Sequence, residues 1–115
     1  MEIDRMLAAD APPIMAILRG VKPEEAVAIA AALVDAGIRL IEVPLNSPDP
    51  YASIRRLQEA YGAVACIGAG TVVTAESVEA LAATGATLMV SPNTDPALIA
   101  LARARGLQPM PGFLT

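Results

Sequence analysis

Apolar and polar positions repeat one phrase four times along the chain: a short apolar run, a polar turn, an alanine-rich amphipathic stretch, and a glycine that opens the next apolar run. The closing glycines are Gly37, Gly62, Gly85 and Gly106, spaced by 25, 23 and 21 residues, which is room for one helix, one strand and two short loops. A glycine just past the last periodic residue is the usual helix stop. The pattern predicts strands over Ile14 to Leu18, Ile38 to Val43, Val64 to Ala69, Thr87 to Ser91 and Leu107 to Met110. It predicts helices over Pro23 to Ala36, Pro50 to Tyr61, Ala75 to Thr84, and from an Asp95 cap to Arg105. Pro23 suits a first helical position, Glu24 and Glu25 sit in the turn that favours negative charge, and Thr74 and Asp95 are N-cap residues. The expected buried stripes are Val27, Ala30, Ala31 and Val34 on the first helix, and Ile54, Leu57 and Tyr61 on the second.

Strands apolar on both faces and separated by helices imply an α/β fold with a parallel sheet, because right-handed crossovers cover it with helices. Two closures compete: an open doubly wound sheet and a parallel (β/α)8 TIM-type barrel. Gly68-Ala69-Gly70 lacks the third glycine of a dinucleotide fingerprint, and no acid lies about twenty residues beyond it to hold a ribose, so the barrel is preferred. A full barrel needs roughly 200 residues or more. The 115 residues are therefore expected to be a single domain that forms the N-terminal half of a barrel, with 1–11 as an N-terminal extension.

Composition narrows the chemistry. The hydrophobic share is 55%, but much of it is alanine, and the longest apolar run, Ala26 to Val34, is far below the ~18 residues of a membrane span. The N-terminus has acids and no basic-then-apolar pattern, so no signal peptide is expected and the cytoplasm is the expected location. Eight Lys plus Arg against twelve Asp plus Glu give a formal charge of -4, with no basic patch interleaved with aromatics, which argues against nucleic acid. The single Cys66 stands in an apolar run and is expected to be a buried structural thiol. Without any histidine, Ser-His, Cys-His and His-metal sites are excluded within one chain. Asp35, Glu42 and Asp49 do not cluster at ligand spacing, so no metal is expected.

Catalytic groups of parallel barrels stand at the C-terminal ends of the strands, which here are Arg19, Glu42, Gly70-Thr71, Ser91-Pro92-Asn93 and Pro111-Gly112. Ile38, Leu40 and Glu42 share one strand face, so a leucine pointing into the barrel brings the carboxylate with it. The alternative is that Glu42 faces the helices and pairs with a cation, or ends the strand in water. Arg19 could hold a carboxylate or phosphate with its fork, or serve as an internal partner for Glu42. Thr71 follows small residues that would let a backbone and hydroxyl approach a small anion, although a tight turn explains the same glycines.

The stretches Ile17-Leu18-Arg19-Gly20, Ile41-Glu42-Val43-Pro44-Leu45-Asn46-Ser47-Pro48, Ile67-Gly68-Ala69-Gly70-Thr71-Val72 and Val90-Ser91-Pro92-Asn93 resemble, in order and spacing, the bacterial 2-dehydro-3-deoxyphosphogluconate and 6-phosphogalactonate aldolases. The resemblance covers residues 12 to 112, and Arg-Gly with Pro-Leu-Asn-Ser-Pro places it nearer the galactonate branch. It implies a retro-aldol cleavage of a phosphorylated 2-keto-3-deoxy sugar acid to pyruvate and glyceraldehyde 3-phosphate through a lysine Schiff base, without a cofactor, in a homotrimer. It casts Glu42 as general acid/base, Arg19 and Thr71 as substrate-binding residues, and Thr71 near the pyruvate carboxylate. The family's Schiff-base lysine lies on the sixth strand and its phosphate site on the last strands, all beyond Thr115. The one lysine here, Lys22, is expected in a solvated loop and is a poor candidate for the amine. Two other readings remain: a non-catalytic half-barrel that pairs through its open edges, and a sugar-phosphate isomerase or epimerase with Glu42 as base.

Overall fold

The computed structural model describes residues 3–5 and 11–113, with 3–5 in a helical turn; residues 1–2 and 6–10 of the expected N-terminal extension lie outside the described residues. Five strands and four helices alternate: β1 (Met15–Ile17), α1 (Pro23–Asp35), β2 (Leu40–Pro44), α2 (Pro50–Tyr61), β3 (Cys66–Gly70), α3 (Ala75–Ala82), β4 (Leu88–Ser91), α4 (Pro96–Ala104) and β5 (Gln108–Pro111). The sheet is parallel throughout, in the order β1-β2-β3-β4-β5. A doubly wound sheet reverses its strand order at a switch point, whereas this one never does. Right-handed crossovers between successive neighbours put every helix on the same side, the arrangement of a barrel wall.

That helix-covered face holds the core. Ile41 and Val43 of β2, Ile67 and Ala69 of β3 and Met89 of β4 pack with Ala26, Ala30, Ile54, Leu57, Val78, Leu81, Leu98 and Ala102 of the helices. Because strand residues alternate, Leu40, Glu42, Cys66, Gly68, Gly70 and Leu88 belong to the opposite face. The two outer strands expose apolar side chains there, Ile17 at 54% and Met110 at 36%.

The helix starts follow the expected chemistry. Thr74 accepts a bond from Ser77 N–H, and Asp95 accepts from Ala97 and Leu98 N–H. Four expectations need correction. The second strand begins at Leu40 rather than Ile38, and the third at Cys66 rather than Val64, because Ile38 N–H donates to Leu33 and Ala65 N–H to Tyr61, so these residues still belong to the helix ends. The fully buried residues of α1 are Ala26 and Ala30, with Val27, Leu33 and Val34 packed against them, so the stripe lies slightly to one side of the expected one. Gly37, Gly85 and Gly106 have positive φ as helix stops should, but Gly62 stays in the right-handed region, and its N–H donates to Gln58 like one more helical residue.

Candidate active site

The C-terminal strand ends are tied together by main-chain bonds. Leu18 N–H donates to Glu42 O, Leu45 N–H to Gly70 O, Val72 N–H to Val90 O, and Gly112 N–H to Ser91 O. These bonds fix where each following loop leaves the sheet, and Arg19, Glu42, Thr71 and Ser91 lie within or just after this rim.

Glu42 occupies the third paired row of β2, between Ile17 and Gly68. The residue is 3% exposed, and its Oε2 has no hydrogen-bond partner. A Cβ placed on Gly70 would lie 2.2 Å from that Oε2 and 2.5 Å from Oε1, so the carboxyl rests against the Gly70 backbone. The contact also locates the side chain on the face away from the helices, since Gly70 alternates with the core residue Ala69. Glu42 therefore does not pair with a cation among the helices. Burial pushes its pKa up, opposed by the positive charge of Arg19. The two side chains interact through this field without a direct ion pair; the direct pair among the described residues is Arg105 with Glu79. A carboxyl whose pKa is raised by burial holds its proton more tightly than a free carboxylate, which suits it to giving a proton as well as taking one.

Arg19 is exposed in the turn after β1, closed by Val21 N–H donating to Leu18 O. The next residue, Gly20, has φ of 78° and donates its N–H to Ser47 Oγ at 3.0 Å, across 27 residues of sequence. Thr71 is exposed directly after β3 and has φ of 59°. That backbone is strained for a β-branched residue, and such strain concentrates where geometry is needed for function. Ser91 is buried and donates to Asn93 O, while Thr94 donates to Gly112 O, closing the loops after β4 and β5. Cys66 is 1% exposed, as expected of a structural thiol.

Two contributors were missed by sequence reasoning. The small residues before Thr71 have other occupants: the space at Gly70 holds the Glu42 carboxyl, and a Cβ on Gly68 would lie 1.8 Å from the Leu88 carbonyl oxygen. Ser47 was visible only as part of a motif, and its tie to Gly20 had no signal in the local pattern. Among the described residues, no three His, Cys, Asp or Glu side chains come together as metal ligands.

A singly wound parallel sheet with a buried acid at the C-terminal rim is the wall of a parallel α/β barrel. The family profile described as KDPG and KHG aldolase matches residues 4–115, and the chain belongs to that family. It is 52% identical over 103 residues to the probable 2-dehydro-3-deoxy-6-phosphogalactonate aldolase of Rhizobium meliloti (strain 1021), covering 90% of this chain and 49% of the relative. The solved structure described as native KDPGal superposes with a TM-score of 0.87 at 47% identity, covering 90% of this chain and 50% of that one. The KDPG aldolase from Legionella pneumophila, with pyruvate captured at low pH as a covalent carbinolamine intermediate, superposes with a TM-score of 0.79 at 28% identity, over 88% and 48%. The chain spans about half the length of the relatives it matches. None of the described helices is long and apolar enough to cross a membrane.

Proposed function

We propose that this chain forms the acid/base half of a class I aldolase acting on 2-dehydro-3-deoxy-6-phosphogalactonate, giving pyruvate and D-glyceraldehyde 3-phosphate. The observation that carries the reading is the Glu42 carboxyl: buried, with one oxygen unpartnered, its pKa pushed up, at the end of β2 on the helix-free face. Forming an imine from a ketone and an amine requires a proton for the departing water, and turning an enamine back to pyruvate requires a proton at carbon. One buried carboxyl with a raised pKa can serve both steps by alternating form. Arg19 supplies positive charge at the same rim for an anionic substrate, and the exposed Thr71 supplies a hydroxyl for the carboxylate end.

The amine nucleophile comes from the remaining strands of the barrel. Lys22, the one lysine here, is exposed at the start of α1, where its backbone N–H donates to Glu25 Oε1. The exposed Ile17 and Met110 lie on the helix-free face of the two outer strands, the side that the remaining strands would close over in a barrel. The assembled enzyme is a trimer in the bacterial cytoplasm, as the resemblance implies.

The test is to incubate the chain, alone and joined to the barrel's remaining strands, with pyruvate and borohydride, and to map any reduced pyruvyl adduct by mass. The expected result is an adduct on a lysine of the added strands, none on Lys22, and loss of pyruvate methyl-proton exchange in Glu42→Gln. An adduct on Lys22 would displace the assignment of the nucleophile. Conversion of the sugar phosphate without cleavage and without any adduct would replace the aldolase by an isomerase or epimerase using Glu42 as base.

A further inference from the structure

The Arg19 turn and the Pro-Leu-Asn-Ser-Pro turn belong to different βα units, yet one hydrogen bond joins them. Ser47 is buried at 6% exposure, and its Oγ accepts the Gly20 N–H at 3.0 Å. Its own N–H donates to Pro44 O, which fixes the serine to the end of β2. On the other side, Leu18 N–H donates to Glu42 O, so the residue preceding Arg19 is bonded to the strand that carries the acid. Arg19 thus lies between two anchors, Leu18 and Gly20, and both anchors hold to the β2 side of the sheet. Its own guanidinium forms no direct ion pair with Glu42, so the anchors, rather than a salt bridge, set where its charge stands.

We propose that Ser47 is a positioning residue, which by accepting the Gly20 N–H keeps the positive charge of Arg19 beside the Glu42 carboxyl. The inference rests on the reading that Arg19 and Glu42 serve one site. It explains why an arginine-glycine pair after the first strand and a serine after the second occur together in this chain: glycine gives the left-handed turn at φ of 78°, and serine takes up the N–H that this turn presents. Arg19 lowers the pKa of Glu42 against the rise caused by burial, so loosening Arg19 removes the opposing influence. Other groups facing the carboxyl do not complicate this. The flanking strands present Ile17 and Gly68, β4 presents Leu88 and Val90, β5 presents Gln108 and Met110, and among the described strand residues the one further ionisable side chain on that face is the buried Cys66, beside Leu40.

The experiment is a titration of the Glu42 Cδ resonance by NMR in the 115-residue chain, parent and variants, with an amide spectrum of each to establish that the fold is kept. Ser47→Ala and Ser47→Val should move the Glu42 midpoint upward, in the direction of Arg19→Gln and by no more than that variant does. Ser47→Thr, which keeps an acceptor of nearly the shape of valine, should return it to the parental value. In an Arg19→Gln background, Ser47→Ala should add nothing. Exchange of the Gly20 amide in the unaltered chain gives a readout that needs no variant to fold: bonded to Ser47, it should exchange more slowly than the Arg19 amide beside it. A Glu42 midpoint unmoved by Ser47→Val, a shift of equal size in the Arg19→Gln background, or a Gly20 amide that exchanges as fast as a free one would each overturn the proposal. None of these readouts requires turnover, so they stand or fall separately from the aldolase reading.

Discussion

Two glycines in one strand, Gly68 and Gly70, should respond very differently to the same substitution. An alanine methyl at Gly68 would meet the Leu88 carbonyl oxygen at 1.8 Å, its carbon at 2.5 Å and the Leu88 Cβ at 2.5 Å. Ordinary contact for such atoms begins near 3.4 Å, so the backbone of β4 would have to retreat by about 1.6 Å. The two strands are hydrogen-bonded at this position, so the retreat breaks part of their ladder. Gly68→Ala should cost about 3 kcal/mol or more, at the upper end of overpacking changes. At Gly70 the atoms met are the two oxygens of Glu42 and its Cδ, at 2.2, 2.5 and 2.6 Å. They must move by about 1.2 Å, but they are the end of a side chain with several rotatable bonds. The restriction of the unfolded chain by alanine returns about 0.4–1 kcal/mol, leaving a net loss of about 1 kcal/mol or less. Urea denaturation followed by circular dichroism measures both, and the Cδ resonance of Glu42 reports its displacement in Gly70→Ala. Equal losses at the two positions, or an unmoved Glu42 resonance in Gly70→Ala, would refute the account of the carboxyl resting on the Gly70 backbone.

The buried acid also sets a pH dependence. A carboxyl whose pKa is raised on folding favours the folded state most below its ordinary titration range, and that contribution is lost as pH rises through the raised value. Glu42→Gln should therefore be more stable than the parent at pH 8, with the gap closing toward pH 4 in parallel urea titrations. Glu79 behaves oppositely, since its exposed pair with Arg105 holds its pKa down; Glu79→Gln should lose a little stability above the carboxylate range and none below it, and the loss should vanish in high salt. Thr71→Gly relieves a positive φ and should stabilise by about 0.5–1 kcal/mol, measured by thermal melting, while removing the hydroxyl proposed for substrate. The Cys66 thiol should be unreactive to a disulfide reagent in the native chain and react fully in denaturant.

The order of elements could be read from the chain because each βα unit carries its own punctuation. Thr74 and Asp95 mark helix starts by side-chain bonds that need no tertiary partner, and Gly37, Gly85 and Gly106 mark stops by backbone conformation. Strand starts were less legible, since an apolar residue such as Ile38 or Val64 satisfies a strand pattern equally well while its neighbours still bond to the preceding helix end. The face of Glu42 could not be decided locally for a related reason. Leu40 and Ile41 are both apolar and both buried, so alternation says which residues share a face but not which face meets the helices.

What settles the face is register, which only the assembled sheet contains. Pairing Pro44 with Gly70 sets a residue without a side chain beside the Glu42 row, and the carboxyl folds over into the space that a Cβ would have taken. The same logic governs Ser47 and Gly20, whose bond depends on the twist that brings the ends of β1 and β2 together. Both contacts cross between βα units, whereas every signal in the chain that could be read unaided acts within one. Function at the rim of a barrel arises between units by construction, because neighbouring strands each bring one side chain to a shared surface. The local pattern shows Arg19 and Glu42 as separate residues, and the pairing of strands brings the charge of one to bear on the other: Gly70 gives the acid its place, and the proposed role of Ser47 is to keep that charge where it acts.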